Sequence, residues 1–209
     1  MPELSARTPE ERYGPALRKA QEDLAGRDPH VLADWAGASY DASLSRFLLR
    51  YWDVTYTVSY PAGEVRDAAG AEPPIFTRVL LLHYLLNASG APMADRWVAF
   101  REFPGGMGYD AAFQGRVVGR LARTFGQRLD DFRRVCQALG GVALSVGDAA
   151  YYFDVLPRLR VAVVLYRGDD EFPPAANFIF DGAADRYLPT EDLVVLGEQV
   201  TSRLCKYQA

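Results

Sequence analysis

The sequence predicts an α+β fold: antiparallel sheet, formed by an N-terminal hairpin and a C-terminal meander, packed with about four to five amphipathic helices. Three observations carry this. Apolar residues recur at helical spacing along 75–86, 109–121 and 129–139. Aromatic and β-branched residues crowd 45–60, with alternation clearest from Val54 to Tyr60. Short apolar runs separated by turn residues fill the C-terminal third.

In chain order, Thr8-Pro9-Glu10-Glu11 combines a capping residue, a proline suited to a first helical position and an acid three residues on, which predicts a helix from Pro9 to Ala25. Gly26 and Asp28-Pro29 stop it, and a short helical or irregular stretch runs on to Trp35. Residues 45–60 read as two antiparallel strands turning near Trp52-Asp53. Ile75, Val79, Leu82 and Leu86 place one stripe of a helix on the core. Residues 97–103 read as a strand entering the loop Pro104-Gly-Gly-Met-Gly108. Two further helices carry Tyr109, Phe113, Val117 and Leu121, then Leu129, Phe132, Val135 or Cys136, and Leu139. Four short strands follow, and Thr190 before Glu191-Asp192 is read as the cap of a last helix.

A chain of 209 residues with 49% apolar content can bury a full core, and its length predicts one domain: a helical arm over 1–30 and a core over 40–209. A net charge of −4 without a basic block speaks against nucleic acid as a partner. The apolar run Val79–Leu86 is far short of the ~20 residues that span a bilayer. The first residues lack the basic and apolar regions of a secretion signal, so the cytoplasm is the expected compartment. Cys136 and Cys205 are too few and too far apart for a disulfide framework or a cysteine-only metal site. Arginine almost throughout in place of lysine, with abundant Ala and Gly, suggests a GC-rich bacterial genome.

Two constellations offer a ligand site. Gly105, Gly106 and Gly108 stand directly before a helix, where open amides and a positive dipole end suit a phosphate or carboxylate, with Tyr109 beside them. Flexible glycine at a strand-to-helix corner is the structural alternative, with Tyr109 and Phe113 in the core. Asp148, Asp154, Asp169, Asp170, Glu171 and Asp181 lie near predicted strand ends, with Phe172 among them. Converged, their carboxylates would hold Mg²⁺ or Ca²⁺ or act as acid and base; dispersed, they cap turns. His30 reads as a surface loop residue and His83 as a helical core residue. No cofactor or metal is specified.

The segment Gly147-Asp148-Ala149…Gly168-Asp169-Asp170-Glu171-Phe172-Pro173…Phe180-Asp181…Leu188-Pro189…Glu191-Asp192-Leu193, with the loop from Phe103 to Phe113, resembles the prokaryotic domain-of-unknown-function family 3786 over nearly the whole chain. The resemblance implies no activity. It implies a setting in anaerobic bacteria and archaea, where some members carry a cysteine-rich iron–sulfur segment hinting at corrinoid or one-carbon metabolism; this chain lacks that segment. The expectation is a cytoplasmic small-ligand-binding, cofactor-binding or accessory protein, recognising a small anionic ligand or a protein partner. The alternatives are a carboxylate-dependent or Mg²⁺-assisted hydrolase or transferase using Asp148, Asp169, Glu171 and Asp181, and a homodimer or complex subunit joined through Trp35, Tyr51, Trp52 and Tyr60.

Overall fold

The computed structural model describes residues 8–207. The chain divides into two compact units, Met1–Ala91 and Pro92–Ala209. The hairpin and the meander belong to separate antiparallel sheets, one in each unit.

In the first unit, α1 (Pro9–Ala25) begins with the expected reciprocal cap: Thr8 Oγ1 accepts from the Glu11 amide at 3.2 Å, and the Thr8 amide donates to Glu11 Oε2 at 2.8 Å. Asp28-Pro29, which stops α1, also starts a second helix, α2 (Pro29–Ala36). Asp28 Oδ1 accepts from the His30 amide at 2.8 Å, and Gly37 closes the helix in the left-handed region at φ 66°. His30 is therefore an exposed helical residue, lying edge-on to Tyr40. A four-stranded sheet follows in the order β1 (Ser39–Asp41), β2 (Arg46–Tyr51), β3 (Val54–Ser59), β4 (Val65–Arg66). The pairs Phe47↔Val58, Leu49↔Tyr56 and Tyr51↔Val54 share its apolar face, while Arg46, Arg50, Thr55 and Thr57 share the other. α3 (Ile75–Asn87) is buried on more than the expected stripe, since Leu80, Leu81, Tyr84 and Leu85 are as enclosed as Val79 and Leu82. α1 packs along α3, with Tyr13 edge-on to Phe76, and the Tyr84 hydroxyl donates to the Ala36 carbonyl at 2.9 Å.

In the second unit, the sheet order is β5 (Trp97–Ala99), β9 (Ala175–Asp181), β8 (Leu159–Tyr166), β7 (Ala149–Leu156), β6 (Val142–Leu144). β5 is shorter than the strand expected over 97–103, because Phe100–Glu102 tightens into a 3₁₀ turn and Glu102 Oε1 accepts from the Ala99 amide at 2.9 Å. After the glycine loop, α4 (Gly106–Phe113), a π-turn at Gln114–Val118 and α5 (Gly119–Phe125) run end to end; α6 (Leu129–Ala138) follows. Phe113 stacks on Phe100 at 4.3 Å and meets Phe178 and Phe180 edge-on or tilted, while Phe132 meets Tyr151, so α4 and α6 close one face of the sheet.

The last helix, α7 (Thr190–Lys206), starts differently from the expectation. Pro189 occupies the cap position and Thr190 is the first helical residue, its hydroxyl donating to the Pro104 carbonyl at 2.6 Å instead of capping the helix. α7 lies close against α4 and the π-turn at Gly197: a Cβ there would stand 2.8 Å from Phe113 Cε2 and 3.3 Å from Val117 Cγ2. Two cross-links reach α7, one from α4 and one from the π-turn that continues it: Tyr109 to Glu191 and Arg116 to Glu198, each joining residues 82 apart in sequence. A constant offset means that α4 and α7 run parallel and begin at the same end of the unit.

Candidate functional site: a cleft at two helix starts

The shared end of α4 and α7 holds a cleft of about 320 Å³, lined by Pro104, Gly105, Tyr109, Asp185, Leu188, Pro189, Thr190 and Glu191. Local chemistry builds it. Gly105 sits at φ 78°, where a side chain is strained, and turns the chain from the 3₁₀ segment into α4. Gly106 lies flat on the preceding turn, since a Cβ would come within 2.3 Å of the Phe100 carbonyl oxygen. The Thr190 to Pro104 hydrogen bond ties the glycine corner to the start of α7. Across the opening, the Tyr109 hydroxyl donates to Glu191 Oε1 at 2.9 Å.

The electrostatics differ from an anion cradle. Gly106 N–H donates to the Phe103 carbonyl at 2.9 Å and Gly108 N–H to the Gly105 carbonyl at 3.1 Å, so these amides close turns and do not face a ligand. The lining carries the carboxylates of Asp185 and Glu191 and no basic side chain. Glu191, in the first turn of α7, offsets the positive end of that helix. Its hydrogen bond and its charge raise the Tyr109 phenol above the ordinary value of 10.0.

The acidic turn residues do not meet here. Asp148 Oδ2 accepts from the Arg167 amide at 2.8 Å, and Asp154 accepts from Arg160 Nε at 2.8 Å. Asp169 Oδ1 accepts from the amides of Glu171 and Phe172 at 2.9 and 2.7 Å, and these bonds hold its carboxyl below the usual range. Asp181 is buried: Oδ1 accepts from the Ala94 and Ala183 amides and Oδ2 from the Asp95 amide, all at 2.9 Å, so it anchors the segment before β5 to the end of β9. Glu171 and Phe172 are exposed on the β8–β9 connection. Among the described residues, no group of three or more His, Cys, Asp and Glu side chains is placed to hold a metal ion.

Of the residues singled out in sequence, Gly105 and Tyr109 line the cleft, while Gly106 and Gly108 lie in the first turn of α4 and do not line it. Asp148, Asp169, Glu171, Phe172 and Asp181 lie outside it. Sequence reasoning does not reach Asp185, Leu188, Pro189, Thr190 or Glu191 as lining residues; the one signal for the last three is the start of α7. His83 is half-buried on α3 in the first unit. Of the aromatic residues considered for an interface, Tyr51 and Trp52 are buried, Tyr60 is half-buried, and Trp35 is 43% exposed.

The profile of a domain of unknown function (DUF3786) matches residues 28–203. The chain belongs to this family. The DUF3786 match takes in α2 and nearly all of α7, hence the whole cleft, and leaves α1 outside. Searches of curated proteins and of solved structures returned no match. Among the described residues of this DUF3786 chain, no helix is long and apolar enough to cross a membrane.

Proposed function

We propose that this DUF3786 chain is a small-ligand-binding or accessory protein whose ligand occupies the cleft at the paired starts of α4 and α7. The observation that carries this reading is that cleft: a concavity of about 320 Å³ with apolar walls from Pro104, Leu188 and Pro189 and polar groups from Tyr109, Thr190, Asp185 and Glu191. Small-molecule sites combine mostly apolar walls with a few placed polar groups. The binding reading is preferred to a carboxylate-dependent reaction because Asp148, Asp169 and Asp181 are each engaged in a separate turn. The cytoplasm fits two free cysteines, Cys136 buried and Cys205 half-buried. If the setting is anaerobic one-carbon or corrinoid metabolism, the ligand is a small metabolite of it, since the volume is at the low end of the ~300–1,000 Å³ usual for ligand pockets and does not enclose a corrin macrocycle.

The test is an amide-resolved NMR titration with phosphate, acetate and ethanolamine, each added singly, then with extracts of host metabolites. Saturable shifts centred on Gly105, Tyr109, Thr190 and Glu191, abolished in Thr190→Phe, support the reading. Saturable shifts centred elsewhere count against it.

A further inference from the structure

The β8–β9 connection presents a phenyl ring to water on a hydrogen-bonded turn. Phe172 is 67% exposed. Its amide and that of Glu171 donate to Asp169 Oδ1, and the Asp169 amide donates back to the Phe172 carbonyl at 2.9 Å. At the base of the turn Pro174 leaves no room for a Cβ on either Gly126 or Gly168, and Gln127 Nε2 donates to the Gly168 carbonyl at 3.3 Å. A backbone already fixed in one turn has less freedom to lose when the ring it presents is buried by a partner, and aromatic side chains are favoured binding anchors. Asp169, Asp170 and Glu171 are exposed beside it and form no ion pair among the described residues, against one basic sequence neighbour, Arg167.

We propose that residues 169–172 are the anchor of a protein-docking surface, with Phe172 entering an apolar pocket rimmed by Arg or Lys on a partner protein. The negative flank supplies the charge complementarity that orients such an encounter. None of these residues lines the cleft, so the surface is separate from the ligand site.

The test replaces Phe172 with the photocrosslinker p-benzoylphenylalanine in the full chain, expressed and irradiated in its host. The expected result is one discrete adduct with a different protein, crosslinked through an apolar peptide with Lys or Arg neighbours. Its yield falls at least fivefold when Asp170→Lys and Glu171→Lys are added, and the same probe at Leu44, 59% exposed in the first unit, does not form it. Unchanged circular dichroism melts establish that each variant folds. No adduct, an adduct with a second copy of this chain, one shared with the Leu44 probe, one through a peptide without basic residues, or one indifferent to the charge reversals overturns the proposal.

Discussion

The Tyr109 hydroxyl donates to the Glu191 carboxylate at 2.9 Å, joining the first turns of two helices that the chain makes 82 residues apart. Arg116 and Glu198 repeat the same offset at 3.2 Å, and Gly197 lets the helices touch between them. Two parallel helices place two positive ends side by side, and the acids of α7's first turn, Glu191 and Asp192, offset them. The cleft exists because these starts are held together at its rim.

Glu191→Gln lowers the Tyr109 phenol pKa towards 10.0, because a neutral partner no longer disfavours the phenolate. The sign follows: a phenol raised in the folded state contributes stability below its unfolded pKa and loses that contribution as pH rises through the folded value. The wild type therefore loses this contribution above pH 10, and the Gln variant shows a smaller alkaline loss. NMR titration of the Tyr109 ring and alkaline unfolding curves check both.

Asp181→Ala destabilises the second unit by about 3 kcal/mol or more, because three backbone N–H groups lose their acceptor. Asp181→Asn, which keeps one carbonyl acceptor, falls between it and wild type. Chemical denaturation followed by a probe in this unit measures the order.

Gly106→Ala and Gly108→Ala separate backbone geometry from ligand contact. A Cβ at 106 meets the Phe100 carbonyl oxygen at 2.3 Å and Arg101 Cα at 3.1 Å, so the start of α4 must shift, at a cost of ~1–3 kcal/mol. A Cβ at 108 meets nothing within 4 Å, and alanine in a helix stabilises by ~0.5–1 kcal/mol over glycine. Opposite signs in thermal denaturation are the expected outcome.

Asp169 gives an acid-side test. Its carboxyl titrates below the ordinary 3.8 because the Phe172 and Glu171 amides favour the charged form. Stability from this turn is present above the unfolded pKa and disappears as pH falls through the lower folded value. Asp169→Ala removes that acid-side component and releases amide exchange protection at Glu171 and Phe172, read by hydrogen exchange at neutral pH.

Much of the fold was legible because it depends on local rules. Thr8 to Glu11 spells a capping box, the Trp52-Asp53 turn separates two alternating runs, and the meander is punctuated by Gly and Asp. The short edge strands β1, β4 and β5 are not legible in the sequence at their true lengths, since two or three residues carry no period. The division of hairpin and meander into two sheets depends on pairing across the chain, which no local pattern encodes. At the site, Gly105 and Tyr109 stood out because glycine before a helix has a stated use. Asp185 and Glu191 did not, because the parallel packing of α4 on α7 brings them there. Asp181 drew attention as an acid and is in place an acceptor for three amides.

The most direct measurement is native mass spectrometry of the protein purified anaerobically from its host, for wild type and Thr190→Phe side by side. A ligand in the cleft gives a stoichiometric small-molecule adduct on the wild type that is absent from the variant, with both proteins folded by circular dichroism. An adduct of the same mass retained in full by the folded variant would contradict it, because the ligand would then sit outside the cleft between α4 and α7.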